Sequence, residues 1–190
     1  NTAVGTNALD SNTTGARNTA IGGRCSLGAN ISGNNNTALG SDSLANNTTA
    51  DNNTAIGKDT LYANTTGTAN VAVGKGALVA NTTASCNSAV GAFALDANTT
   101  GIRNNAFGYN ALTNETVGNH NNAFGTNALA LNTTGSENVA MGQNALFANT
   151  TADNNTAVGN YSLQANSTGA DNVAVGTSAL GANTTGGGHT

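Results

Sequence analysis

Asparagine followed two residues later by serine or threonine is the chemical motif that this chain repeats most often. Such a triplet is the acceptor of N-linked glycans in secreted proteins, where it marks a surface turn. Its middle residue varies, for example to Ile31 or Ser167, but its third residue is always Ser or Thr. We therefore predict one outward-facing glycosylation candidate in each of eleven similar units, at Asn12, Asn30, Asn47, Asn64, Asn81, Asn98, Asn114, Asn132, Asn149, Asn166 and Asn183.

A plain turn explains the same triplets without any sugar, and this alternative stays open. Asn tolerates a left-handed backbone, and Thr hydroxyls bond to neighbouring backbone groups. In the seventh unit the triplet lies one place nearer to Leu112 and is kept as Asn114-Glu115-Thr116, which favours the glycan interpretation. Less regular triplets, which are weaker candidates, begin at Asn35, Asn46, Asn52, Asn154 and Asn160.

The residues that carry catalysis or bind metals are few and scattered. His120 and His189 are the only histidines, and the carboxylates occupy different places in the units, so they form no repeated calcium site. Cys25 and Cys86 lie three coils apart, which at about 4.8 Å per coil is about 14 Å, beyond the roughly 7 Å that a disulfide tolerates. We expect no enzyme, no metal site and no cofactor other than covalent glycans.

Charge and hydropathy exclude two classes of partner. Only 7% of residues are charged and the net charge is −4, so no basic stripe exists to neutralise nucleic-acid phosphates. No run of about 20 apolar residues exists that could cross a bilayer. We therefore expect neither a nucleic-acid partner nor a membrane span.

A repeat of seventeen residues positions all of these groups. Units begin at Asn1, Asn18, Asn36, Asn53, Asn70, Asn87, Asn104, Asn121, Asn138, Asn155 and Asn172, and only the second has eighteen residues. Counted from this Asn, position three is always Ala, position five Gly and position nine Leu, with the extra residue of unit two falling between Gly22 and Ser26. A fixed period of this length is typical of a solenoid, in which each unit contacts only its neighbours.

The pattern within a unit predicts short strands. Positions two to five form a brief apolar-alternating segment that ends in Gly, and no apolar stripe with helical spacing exceeds one turn. Ala at position three predicts a tight space, whereas position four varies from Val to Phe, so its space is roomier or shared with another surface. The predicted fold is all-β: a parallel β-solenoid (β-roll) of eleven coils in one repeat region, residues 1–190, with the Leu buried and the position-one Asn side chains stacked in a ladder.

The strings N-T-A-V-G-x-x-A-L and N-T-T-G resemble repeats of tail-fibre-like proteins and, more loosely, of trimeric autotransporter adhesin heads. This resemblance implies a left-handed β-roll, often built from three chains, that serves as an extracellular shaft or adhesive head. It brings no catalytic residues. A roomy position four would suit a seam between chains.

The sequence thus predicts a glycan-coated structural segment of an extracellular or virion-attached fibre that self-associates, as a homotrimer if the resemblance holds. The alternatives are an adhesin surface that recognises cell-surface sugars and, less favoured, an ice-binding solenoid with a threonine row. The chain has no initiator Met, and His189 falls where a twelfth unit would begin, so we expect a segment of a longer fibre.

Overall fold

The computed structural model describes residues 1–190 and forms a parallel β-solenoid without helices. Each unit contributes one strand of three residues to a single eleven-stranded sheet whose strands follow chain order. The strands are β1 (Thr2–Val4), β2 (Thr19–Ile21), β3 (Thr37–Leu39), β4 (Thr54–Ile56), β5 (Val71–Val73), β6 (Ser88–Val90), β7 (Asn105–Phe107), β8 (Asn122–Phe124), β9 (Val139–Met141), β10 (Thr156–Val158) and β11 (Val173–Val175). The predicted fold class is confirmed.

Equivalent residues of successive units lie directly above one another. Thr2 pairs with Thr19, Ala3 with Ala20 and Val4 with Ile21, and the same register continues to the last pair. Only 20 of the 120 backbone hydrogen bonds lie within the strands, so the turns also bond from coil to coil. Leu95 N–H, for example, donates to Ala111 O in the next coil. The stack is therefore held along most of the coil contour rather than at one sheet.

The core is a thin column of Ala and Leu. The Ala of each strand from β2 to β10 is fully buried, as is the position-nine Leu from Leu27 to Leu163. Position eight contributes Ala, or a Ser or Thr whose hydroxyl is satisfied locally, as where Thr60 Oγ1 donates to Gly57 O at 2.9 Å. The tight space at Ala is confirmed, and the predicted burial of Leu is confirmed in every coil except the eleventh, where Leu180 is exposed.

Left-handed corners allow so short a coil to close. Gly at position five has positive φ in ten of eleven coils, 135° at Gly91, as its permissive backbone favours. The buried Leu has positive φ in every coil, 52° at Leu95 for example, which is unusual for a residue with a branched side chain. Burial of the side chain and coil-to-coil bonds at this corner offset the roughly 1–2 kcal/mol that such a backbone costs.

Candidate functional site

Most of the predicted glycosylation sites lie inside the coil. Eight of the eleven asparagines are fully buried: Asn30, Asn47, Asn64, Asn81, Asn98, Asn132, Asn149 and Asn166. Asn12 and Asn183, in the end coils, are half-buried, and only Asn114 is exposed. The expectation that these side chains form an outward-facing ridge is therefore wrong. The eight buried side chains lie in the interior of the stack instead.

These side chains form a hydrogen-bonded row, here called the position-twelve ladder. Asn132 Nδ2 donates to the Glu115 carboxyl of the preceding coil. In eight other asparagines of the row, Nδ2 donates to the Oδ1 of the counterpart in the preceding coil, at 2.7 to 3.3 Å. The same Nδ2 also donates to the carbonyl of position fifteen in its own coil, at 2.8 to 3.1 Å. Both amide hydrogens are thus used, which satisfies a group that would be costly to bury unpaired.

The ladder geometry opposes glycans at the buried positions. A glycan replaces one hydrogen of Nδ2, and at Asn81 both hydrogens are directed to inner acceptors, Asn64 Oδ1 and Ala84 O. Glycosylation of these residues stays a prediction, and one that burial contests. The exposed triplets are Asn114 and the five irregular ones, Asn35, Asn46, Asn52, Asn154 and Asn160.

The asparagines that open each unit form a second buried row, the position-one ladder. The Oδ1 of each one accepts the backbone N–H of position one in the next coil, at 2.8 to 3.1 Å. The last of these donors is His189, which occupies position one of a twelfth coil. Most of their Nδ2 groups donate to the same position-fifteen carbonyls that the other ladder uses, as Asn87 and Asn98 do at Gly101 O. The predicted stacking is confirmed, although its main partner is backbone.

The sequence held a signal for this inward placement. Position twelve is Asn in ten of eleven units and Glu115 in the other, whereas position fourteen changes to Ser32 and Val117. Invariance among stacked copies is typical of a packed interior, while turn-forming asparagine needs no such constancy. In the seventh unit the triplet begins one residue early, at Asn114, and position twelve is Glu115. Comparing the units by their triplets therefore hides the near-invariance of position twelve.

Glu115 is the one acid within the ladders, and its side chain is fully buried. Its carboxyl accepts hydrogen bonds from Asn132 Nδ2, from Asn121 Nδ2 at 3.1 Å and from the backbone N–H of Gly118. Burial raises the pKa of Glu115 to about 7, although these hydrogen bonds oppose the rise.

The outer face of the sheet carries a continuous apolar row. This outer apolar row consists of the position-four residues Val4, Ile21, Leu39, Ile56, Val73, Val90, Phe107, Phe124, Met141, Val158 and Val175. Seven of them are exposed and the other four are half-buried. The rings of Phe107 and Phe124 stack face to face, with centroids 4.9 Å apart. Contiguous exposed apolar residues on a surface mark interaction sites more often than isolated ones do.

One cavity of about 320 Å³ extends across the first four coils and includes residues of the enlarged second coil. Its walls include Asp10, Arg24, Asp42, Asn46 and Tyr62. The guanidinium of Arg24 lies 4.0 Å from the Asp42 carboxylate, and Ser41 Oγ donates to Asp42 Oδ2 at 3.1 Å. The cavity thus combines hydrogen-bonding groups with one exposed aromatic ring.

The remaining candidate groups lie apart from one another. Cys25 and Cys86 are both free thiols. No three His, Cys, Asp or Glu side chains are grouped closely enough to hold a metal ion, and no helix is long and apolar enough to cross a bilayer. The position-fourteen hydroxyls form one mostly exposed row, which Val117 interrupts.

Comparisons with family models, curated proteins and solved structures found no match to this chain.

Proposed function

We propose that this chain is a structural repeat segment of an extracellular fibre, in which copies associate side by side through the outer apolar row. The observation that carries the proposal is that a stack whose interior polar groups are almost all paired presents apolar residues in a continuous row outside. The role is mechanical support, and it needs no catalytic group. A glycan on every coil is not part of the proposal, because most of the regular acceptors are buried.

A second copy fits the row because it has the same axial spacing. Coils of a parallel stack recur about every 4.8 Å, so two copies can interlock their position-four side chains over the whole row. A globular partner has no such period and would cover only a few coils. The few charges of the chain leave little electrostatic repulsion between copies.

Lysine substitutions in the outer apolar row test this association. The triple variant Leu39→Lys, Phe124→Lys and Met141→Lys changes exposed side chains, so the fold should persist while like charges oppose pairing. We expect the wild type to sediment as an oligomer at micromolar concentration and the variant as a monomer.

The matched control places lysines in the same three coils on another exposed surface, as Thr49→Lys, Thr134→Lys and Thr151→Lys. This control should remain oligomeric. A wild type that is monomeric throughout, or a control that dissociates equally, would overturn the role given to the apolar row.

The cavity across the first four coils favours a second candidate function, recognition of a sugar. Carboxylate and amide groups can bond to hydroxyls while an aromatic ring packs on the apolar face of a pyranose, and Asp42, Asn46 and Tyr62 supply these groups. We expect Tyr62→Ala to weaken saturation-transfer NMR signals from a panel of monosaccharides at least fivefold.

Tyr109→Ala is the control for that experiment, because Tyr109 is also exposed but lies outside the cavity. Equal loss of signal in both variants, or no signal from the wild type, would count against sugar recognition at this place.

A further inference from the structure

The position-twelve ladder is interrupted at one rung. Asn98 Oδ1 is buried without a hydrogen-bond partner, one of two such side-chain atoms in the protein. In the other coils this oxygen accepts the Nδ2 of position twelve from the following coil, as Asn81 Oδ1 accepts Asn98 Nδ2 at 3.1 Å. After Asn98 the following position twelve is Glu115, which has no N–H to donate. Asn98 Oδ1 therefore lacks the side-chain amide donor that the following coil supplies elsewhere in the ladder.

No charged group compensates Glu115. Its hydrogen-bond partners are amides and backbone N–H groups, and neither salt bridge of the protein involves it. The other titratable groups of its own and the two adjacent coils all have exposed or half-buried side chains and make no hydrogen bond to it; they are Asp96, Arg103, Tyr109, His120 and Glu137. An ionised carboxylate would thus be an uncompensated charge within the stack, which is strongly unfavourable.

We propose that Glu115 holds a proton in the folded stack and donates it to Asn98 Oδ1, so that a neutral carboxyl replaces the missing amide rung. The carboxyl hydroxyl supplies the one hydrogen that the ladder lacks at this coil. The remaining lone pairs of the carboxyl still accept from Asn132, Asn121 and Gly118. Loss of the proton leaves Asn98 Oδ1 unpaired and places a charge between the sixth and eighth coils. The seventh coil is then a proton-sensitive joint within the stack.

The sign of the pH dependence follows from the direction of the shift. The folded state binds the proton more tightly than the unfolded chain, because burial raises the pKa of Glu115 from 4.5 to about 7. The stability that protonated Glu115 contributes is complete below the pKa of the unfolded chain. It is lost as pH rises through the pKa of the folded protein. Between those two values the unfolding equilibrium constant should increase about tenfold per pH unit.

Glutamate-specific labelling tests the proposal directly. Glu115 and Glu137 are the only glutamates, so a protein labelled with ¹³C at the glutamate carboxyl gives two signals. We expect the Glu115 signal to remain that of a neutral carboxyl at pH 6 and to change to that of a carboxylate around pH 7. Glu137, which is exposed, is the internal reference. A Glu115 signal typical of a carboxylate at pH 5.5 in the folded protein would overturn the proposal.

Stability measurements on two variants provide an independent test. Glu115→Asn restores the residue that the other units carry, so it should fold and its stability should lose the decline that the wild type shows between about pH 5 and 7. Glu137→Gln should keep that decline. If Glu115→Asn retains the wild-type pH profile, the proton on Glu115 does not complete the ladder.

Discussion

At the scale of single residues, this protein replaces part of a hydrophobic core with asparagine. The amide side chain carries both donors and an acceptor, so identical side chains at identical heights can bond to one another along a stack. Two such rows share the position-fifteen carbonyls, for example Ala84 O, which accepts Nδ2 of both Asn70 and Asn81. The interior is polar yet almost every group in it is paired, which is the condition for burying polar groups without penalty.

Removing one rung should be costly. In Asn81→Ala, Asn64 Oδ1 and Ala84 O each lose a donor, and Asn98 Nδ2 loses its acceptor. We expect a loss of about 2–4 kcal/mol in the free energy of unfolding, measured by denaturant titration. Asn114→Ala, which removes an exposed amide bonded to Ala130 O, should lose less than about 1 kcal/mol. Similar losses in both variants would contradict the structural role of the ladder.

At the scale of the coil, closure depends on a few left-handed corners. The Gly91 corner has φ of 135°, and an added Cβ would come within 2.4 Å of Gly108 O in the next coil. Such a contact cannot be relieved by a side-chain rotation, because the obstacle is backbone.

The variant Gly91→Ala should therefore lose at least about 2 kcal/mol of unfolding free energy, through both strain and the clash. Gly23→Ala is its control, since a Cβ there meets no atom within 4 Å and Gly23 does not have positive φ. Thermal unfolding followed by circular dichroism compares the two. A Gly91→Ala variant as stable as Gly23→Ala would show that neighbouring coils can shift to make room.

The coil also shows how far the sequence alone could lead. The strand, the Gly corner and the buried Leu follow from a fixed period and from which positions are apolar. The inward asparagines do not, because Asn-Thr-Thr-Gly is equally typical of a surface turn. Side chains point alternately inward and outward along a strand, but this alternation is lost at left-handed corners such as Leu95. Whether Asn98, three residues later, points inward or outward therefore cannot be predicted by counting from the strand. The proposed role of Glu115 could not be predicted from the sequence either, because it depends on which residues lie next to it in the preceding and following coils.

At the scale of the whole molecule, every coil is bonded to its neighbours at many points, and the chain holds few charges. Association through the outer apolar row is accordingly expected to be insensitive to salt, since screening affects charge pairs and not apolar contact. This distinguishes the proposed assembly from one held by surface ion pairs, of which the protein has only two, Arg24 with Asp42 and Lys58 with Asp59.

The hydrogen bonds of the position-twelve ladder all run one way, from the Nδ2 of one coil to the Oδ1 of the coil before it. The stack consequently has a polarity: each coil presents amide acceptors to the coil that follows it and amide donors to the coil that precedes it. Two blocks of such coils can continue these rows only when joined head to tail. A head-to-tail contact without closure is heterologous and propagates as an open filament, whereas lateral contact along the sheet face can be symmetric. The ladder thus sets a direction along the axis, whereas the proposed association through the outer apolar row lies across it.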